Sequence, residues 1–195
     1  MLKTLLFKIA KSPVMGRMVG IAFQHFSWAI PVKKVYQNRN VIAFYHPKPS
    51  YENHLIISPK RAIKNLQQMA SDNFIEYFVK IWEAVKDICE TYPEYHDSFV
   101  LVANGGKRQE VGQVHFHMFT GHEILNFDWE VHEMIIPVYA SQRTKEDFEN
   151  IMQSITMLDE KYGIVQKGYS LVYQYEKQKS DIKHPVFHII AGKKQ

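Results

Sequence analysis

One cysteine, Cys89, stands among the 195 residues. That excludes an intrachain disulfide framework and any zinc site built from several thiolates. Apolar runs are short: none approaches the roughly 20 residues that a membrane-spanning helix requires. Acidic residues are missing from the first 51 positions, where eight basic ones stand: Lys3, Lys8, Lys11, Arg17, Lys33, Lys34, Arg39 and Lys48. The rest of the chain carries 16 basic against 20 acidic residues, so an overall charge of +4 hides a basic arm on a mildly acidic body. Such an arm suggests an anionic partner. In residues 2–10, Leu2, Leu5, Leu6 and Ile9 fall at helical spacing between lysines, a pattern that suits a membrane surface or the domain's own flank. Lys8 and Lys11 interrupt the apolar stretch, which makes it a poor secretory signal, and a cytoplasmic protein is expected.

Aromatic residues are plentiful: 12 Phe, 11 Tyr and 3 Trp. With 46% hydrophobic and 23% charged residues, the chain can build a sizeable core as one domain with extensions or as two small halves. Strand is expected over 32–44, with Asn38-Arg39-Asn40 as a hairpin turn, and again over 54–58, closed by Pro59. Between 72 and 92 the pattern turns helical, with Phe74, Phe78, Ile81, Trp82, Val85, Ile88 and Cys89 on one face, Asp72 or Ser71 as N-cap and Pro93 as the stop. Strands follow over 99–103 and 111–120, separated by Asn104-Gly105-Gly106.

The same order then recurs. Residues 132–137 (HEMIIP) echo 54–59 (HLIISP) at an offset of 78, Leu171-Val172 echoes Leu101-Val102 at 70, and 186–192 (VFHIIAG) echoes 115–121 (HFHMFTG) at 71. Between them a second helix is expected from Thr144, capped by Thr144 with Asp147, with Phe148, Ile151, Met152, Ile155, Leu158 and Tyr162 on its apolar face and Gly163 at its end. Shared His, Pro and Gly in register point to a tandem duplication. Three parts result: an amphipathic basic extension over 1–30, a first half over 31–122, and a degenerate second half over 123–195.

Chemistry concentrates in residues 109–119 (QEVGQVHFHMF). On a strand Gln109, Val111, Gln113, His115 and His117 would share one face, presenting two imidazoles and two carboxamides. Histidines at i and i+2 lie about 7 Å apart on a strand, close enough to act on one phosphate, one as nucleophile and one as donor. The same spacing suits a metal held by His115 and His117 with His122 or Glu123, and a purely structural pair also fits.

The stretch resembles the histidine triad (HIT) superfamily of nucleotide hydrolases and transferases, whose signature reads G-Q-x-V-x-H-x-H-x-H. An N-x-G loop precedes that signature, and strands of the A-F-x-D and H-x-L-x-I-P-K types lie upstream. Here Asn104-Gly105-Gly106, Gln109, Val111, Gln113, His115 and His117 stand in that order, behind Ala43-Phe44-Tyr45-His46 and His54-Leu55-Ile56-Ile57-Ser58-Pro59-Lys60. The resemblance implies an α+β, HIT-like fold with antiparallel sheets, joined or continuous, each covered by one long helix. It implies that His115 attacks the α-phosphate to form a nucleotidyl-histidine, with His117 a phosphate contact. Asn104 and Gln109 become phosphate and leaving-group contacts, His54 a hydrogen-bonding support of the triad, and Phe44 a wall of the base pocket. Gln113 departs from the pattern at the first triad position, where it is expected to orient the histidine or stabilise phosphoryl charge. His46 departs from it where the family carries a ribose-binding Asp, and the 104–109 loop is short.

In the second copy Val186 stands at the nucleophile position, with His184, His188 and Gln174 at the positions of Gln113, His117 and Asn104. By resemblance to the two-copy galactose-1-phosphate uridylyltransferase branch, the chain is expected to be its own pseudo-dimer, with one live and one dead half, as a monomer or a homodimer. The expected activity is hydrolysis or transfer at the α-phosphate of a nucleotide phosphoramidate, dinucleoside polyphosphate or nucleotide sugar, without cofactor or metal and without specific nucleic-acid binding. A catalytically weakened nucleotide-binding protein and a histidine metal site remain the alternatives.

Overall fold

The computed structural model of the chain describes residues 32–71, 73–121, 134–139, 145–178 and 186–191, with backbone only over 134–139. The basic extension, the Asp72 and Thr144 caps, His122, Glu123 and His184 lie outside the described residues. No described helix is long and apolar enough to cross a membrane.

The first hairpin is β1 (Lys34–Gln37) and β2 (Val41–Tyr45). Its turn falls where the sequence placed it, because the Asn38 side-chain oxygen accepts the N–H groups of Asn40 and Val41, both at 2.8 Å. β3 (Leu55–Pro59) pairs with β2 and ends in a proline, which has no N–H to give to a ladder. A four-residue helix, α1 (Leu66–Met69), is capped by the Asn65 side chain. It precedes α2 (Glu76–Thr91), which buries Phe78, Ile81, Trp82, Val85 and Ile88 and stops before Pro93. Ser71 does not cap α2: its hydroxyl donates backwards to the Gln68 carbonyl, and α2 starts with no side-chain cap bond.

β4 (Ser98–Gly105) runs into a 3-10 turn over Gly106–Arg108, and β5 (Phe116–Phe119) follows. The strand expected over 111–120 is thus confined to its second half. β6 (Met134–Tyr139), α3 (Lys145–Tyr162), the short α4 (Ile164–Lys167), β7 (Tyr169–Glu176) and β8 (Val186–Ala191) complete the described chain. α3 buries Phe148, Ile151, Met152, Ile155 and Leu158 as the periodicity requires, but Tyr162 is 41% exposed because the helix has run past the core by then. Gly163 ends the helix at a φ of 64°, the left-handed turn that glycine adopts without penalty.

The eight strands among the described residues form one continuous antiparallel sheet in the order β1-β2-β3-β5-β4-β7-β8-β6. Its longest ladder joins β4 to β7 over eight pairs from Ser98↔Glu176 to Gly105↔Tyr169, with Val102 opposite Val172 at the centre. The order mirrors about that ladder: β5 and β3 lie beyond β4 as β8 and β6 lie beyond β7. The registers mirror too, since Val102 pairs with His117 and Val172 with His188. These are the pairings that offsets of 70 and 71 require. The third echo is displaced: Ile56 lies opposite His117, whereas Pro137, not Met134, lies opposite His188. The sheet therefore relates β3 to β6 by three residues more than the HLIISP/HEMIIP match. That match follows proline and apolar composition, while backbone pairing sets the register.

α2 and α3 cover one face. Leu55, Ile57, Leu101, Ala103, Phe116, Met118, Leu171, Tyr173, Phe187 and Ile189 pack there with both helices in the main core. Period-two alternation sends the intervening residues to the opposite face, where Ile42, Phe44 and Ile56 form one small cluster and Val100, Phe119, Val172 and Ile190 another. The candidate chemistry lies on this second face.

The two helices meet through Phe78 and Phe148, stacked with ring centroids 4.3 Å apart and both essentially fully buried. Phe148→Ala is expected to cost about 3–5 kcal/mol, the usual range for removing a buried phenyl ring. Urea denaturation followed by far-UV circular dichroism and by tryptophan fluorescence checks this, with the two signals moving together because the sheet and core are continuous.

Candidate active site

Residues 113–115 are not strand; they are stitched to the segment that follows β3. Val114 N–H donates to the Ile63 carbonyl at 2.7 Å, and the Ser58 hydroxyl donates to the Val114 carbonyl at 2.9 Å. Gln113, 1% exposed, turns its carboxamide into this seam. Its NH2 donates to the carbonyls of Arg61 at 2.9 Å and Pro59 at 3.1 Å, and its oxygen accepts the Ile63 N–H at 3.2 Å. Gln113 therefore does not share a strand face with His115, and its amide is not directed at a phosphoryl group. A residue buried among backbone carbonyls serves as their donor instead.

The consequence for His115 is direct. The imidazole Nδ1 lies 2.8 Å from the Gln113 carbonyl oxygen. A carbonyl only accepts, so the Nδ1 carries the proton and the Nε2 carries the lone pair. The neighbouring His117 ring is 5.0 Å away, edge-on to it at 69°.

His117 takes the opposite tautomer. Ser50 N–H points at His54 Nδ1 at 3.4 Å, which leaves the His54 proton on Nε2. His54 Nε2 lies 2.9 Å from His117 Nδ1 and donates to it, so the His117 proton sits on Nε2. The pair thus presents a lone pair from one ring and an N–H from the next. Burial first, then the neighbouring histidines, holds His117 far below the ordinary value. His54 is lowered from 6.5 to about 4 by burial and then by His46. His115 is lowered by burial, against a smaller opposing pull from the Gln113 carbonyl. All three rings are neutral at neutral pH.

His46 stands beside them. Its backbone N–H bonds the His54 carbonyl at 2.8 Å, and its ring stacks on His54 with centroids 4.3 Å apart and planes within 7°. Ring nitrogens of His46, His54 and His117 lie within 4.8 Å of one another, the arrangement among the described residues that most resembles a metal site. A metal must lie in the plane of every imidazole that binds it, and two parallel stacked planes share no such point. The Lys48 N–H on His46 Nδ1 at 3.1 Å and the Ser50 N–H on His54 Nδ1 put both protons on Nε2, as donors. With both Nδ1 atoms taken by backbone N–H groups and His54 Nε2–H spent on His117, the cluster is poorly set up to hold a cation. The set differs from the expected His115, His117 and His122, of which His122 lies outside the described residues.

Phe44 is buried on the site's face beside Ile56, which itself lies opposite His117. Asn104 stands near the end of β4, two residues beyond Val102, which pairs with His117 and shares its side of the strand. Gln109 commits its amide hydrogens to the carbonyls of Lys64 at 2.6 Å and Val111 at 2.7 Å. It braces the loop, so the expected donation to a leaving group is not available from that nitrogen. In the second half, His188 occupies the place on β8 that His117 holds on β5, and Val186 and Gln174 occupy the positions assigned from the offsets. Two neighbours of the site escaped the sequence reading: Ser170, whose hydroxyl meets Asn104 across the β4–β7 ladder, and Arg108, which bonds that hydroxyl. Neither carried a signal in the sequence: an offset of 70 relates Asn104 to Gln174, and only the ladder sets Asn104 opposite Ser170.

A profile of the HIT domain matches residues 28–124. An uncharacterized HIT-like protein of Methanocaldococcus jannaschii is 32% identical over 99 residues, covering 48% of this chain and 72% of that protein. The chain belongs to the HIT family. An uncharacterized HIT-like protein of Helicobacter pylori is 28% identical over 94 residues, covering 47% of this chain and 86% of the relative. Among solved structures, a histidine triad protein from Clostridium difficile is 25% identical with a TM-score of 0.52, covering 57% of this chain and 98% of its own. A HIT family hydrolase from Clostridium thermocellum shares the fold at 21% identity and a TM-score of 0.50, covering 55% and 95%. The matched HIT region holds the site face, and about half of this chain lies beyond it.

The depressed value of His54 sets a pH window. Unfolded, this histidine takes a proton near 6.5; folded, it does so only at about 4. Between those values the unfolded state binds more protons, so stability falls as the pH drops from about 6.5 towards 4. Chemical denaturation at stepped pH checks this, and His54→Asn is expected to flatten the slope in that window.

Proposed function

We propose that this HIT-family chain is a nucleotide hydrolase or transferase working at an α-phosphate through a covalent His115 intermediate. One observation carries the reading: the bond from His115 Nδ1 to the Gln113 carbonyl, which directs the Nε2 lone pair away from that carbonyl beside the N–H of His117. His115 Nε2 attacks phosphorus, a P–N bond forms, and the bond from phosphorus to the leaving group breaks. The imidazolium so formed keeps its Nδ1–H on the Gln113 carbonyl, which stabilises the positive charge. His117 Nε2–H donates to a non-bridging oxygen, held in that tautomer by the chain from Ser50 through His54. Water or a phosphate acceptor then adds at phosphorus, the P–N bond breaks, and His115 recovers its lone pair. Phosphoramidates, dinucleoside polyphosphates and nucleotide sugars are the substrate classes, with Phe44 against the base.

The mirrored strand order and the 70- and 71-residue registers support a tandem arrangement in which the second half serves as the partner subunit. Val186 has no nucleophile to offer, so one turnover site per chain follows from this reading.

A panel of adenosine and guanosine phosphoramidates, dinucleoside polyphosphates and nucleotide sugars tests the proposal, with nucleoside monophosphate release measured for wild type and His115→Asn. Turnover is expected for at least one class, with kcat falling about a thousandfold or more in the variant, as for loss of a covalent nucleophile. Intact mass after acid-free quenching should show one nucleotidyl adduct in wild type and none in the variant. Nucleotide-induced stabilisation without turnover would instead support the binding protein.

A further inference from the structure

Asn104 is the one candidate phosphate contact whose side chain is gripped from the other half of the sheet. Ser170 lies directly opposite it in the β4–β7 ladder, and the Ser170 Oγ–H donates to Asn104 Oδ1 at 2.8 Å. Arg108 reaches the same hydroxyl from the loop after β4: its Nη1 donates to Ser170 Oγ at 3.2 Å and to the Ile190 carbonyl at 3.1 Å. A guanidinium has no acceptor, so it takes a lone pair of the hydroxyl and turns the hydroxyl hydrogen towards Asn104. Room for this reach is provided by Gly168, at a φ of +88°, where a Cβ would stand 2.7 Å from Arg108 Cγ.

From this arrangement we infer that Ser170 is a positioning residue for the site of the first half. It pins the oxygen of the Asn104 carboxamide, and thereby presents the two Nδ2 hydrogens, the end an anion needs, on the other side. The inference rests on the phosphate reading above for its purpose, but not for its geometry. It gives the second half a role in recognition: Arg108 sets Ser170, Ser170 sets Asn104, and Asn104 donates to a phosphoryl oxygen. Without Ser170 the carboxamide turns over readily and offers its oxygen to the phosphate in part of the population, which repels it.

The test uses the full chain. AMP affinity is measured by calorimetry for wild type, Ser170→Ala, Asn104→Ala, the double variant and Ser170→Thr, and the Asn104 side-chain amide pair is followed in 1H–15N spectra, assigned by its loss in Asn104→Ala. Ser170→Ala is expected to weaken AMP binding about fivefold, the effect of one uncharged hydrogen bond. The double variant should bind no more weakly than Asn104→Ala alone, and Ser170→Thr should match wild type because it keeps the hydroxyl. The amide pair should shift or broaden in Ser170→Ala and stay in place in Ser170→Thr. Losses that simply add in the double variant, or an amide pair unmoved in Ser170→Ala, would overturn the inference. A wild type that binds no AMP would sink the proposed function instead; the amide pair alone then decides the positioning, by the same two outcomes.

Discussion

The site depends on a buried carboxamide that never faces it. Gln113 holds the backbone that follows β3 through Pro59, Arg61 and Ile63, and in doing so fixes its own carbonyl under His115. A carboxamide is suited to this: it offers two donors and an acceptor, uncharged at any pH. An imidazole at the same position would bring one donor and one acceptor, and could not satisfy both carbonyls and the Ile63 N–H. The carboxamide thus supplies a fuller set of hydrogen bonds beside His115 than a titratable ring would. The main-chain oxygen of Gln113, not its side chain, selects the His115 tautomer.

The second dependence is on the β4–β7 ladder. It places the 3-10 turn of Gly106–Arg108 against the turn around Gly168, and a Cβ on Gly106 would come within 2.1 Å of the Val165 carbonyl oxygen. The loop between Asn104 and Gln109 is thus shaped by the segment before β7 as much as by its own sequence.

Much of this was legible beforehand. The Asn38 turn, the buried faces of α2 and α3 and the stop at Pro93 all follow from local periodicity and turn chemistry. What was not legible depended on partners distant in sequence. Residues 109–115 alternate like a strand, yet the Gln113 side chain and Val114 backbone bond to residues about 50 positions earlier, which pulls them out of any ladder. The HLIISP/HEMIIP echo misread the register because apolar strands match one another at several offsets, and only the hydrogen-bonded pairs distinguish them. His46 was read by its place in a motif; its stack on His54 required the third dimension.

Because β4 and β7 lie in one chain at different sequence positions, the two sides of their ladder need not be alike. Asn104 faces Ser170, while Gln174, its counterpart across the axis, faces Val100. Had two identical chains met along this seam, every codon change would be felt twice, once on each side, and a hydroxyl placed for one site would intrude on the other. Covalent union lifts that symmetry. A mutation here is read once, so one flank can carry a hydroxyl on Asn104 while the other sets an amide beside Glu176 and opposite an aliphatic side chain.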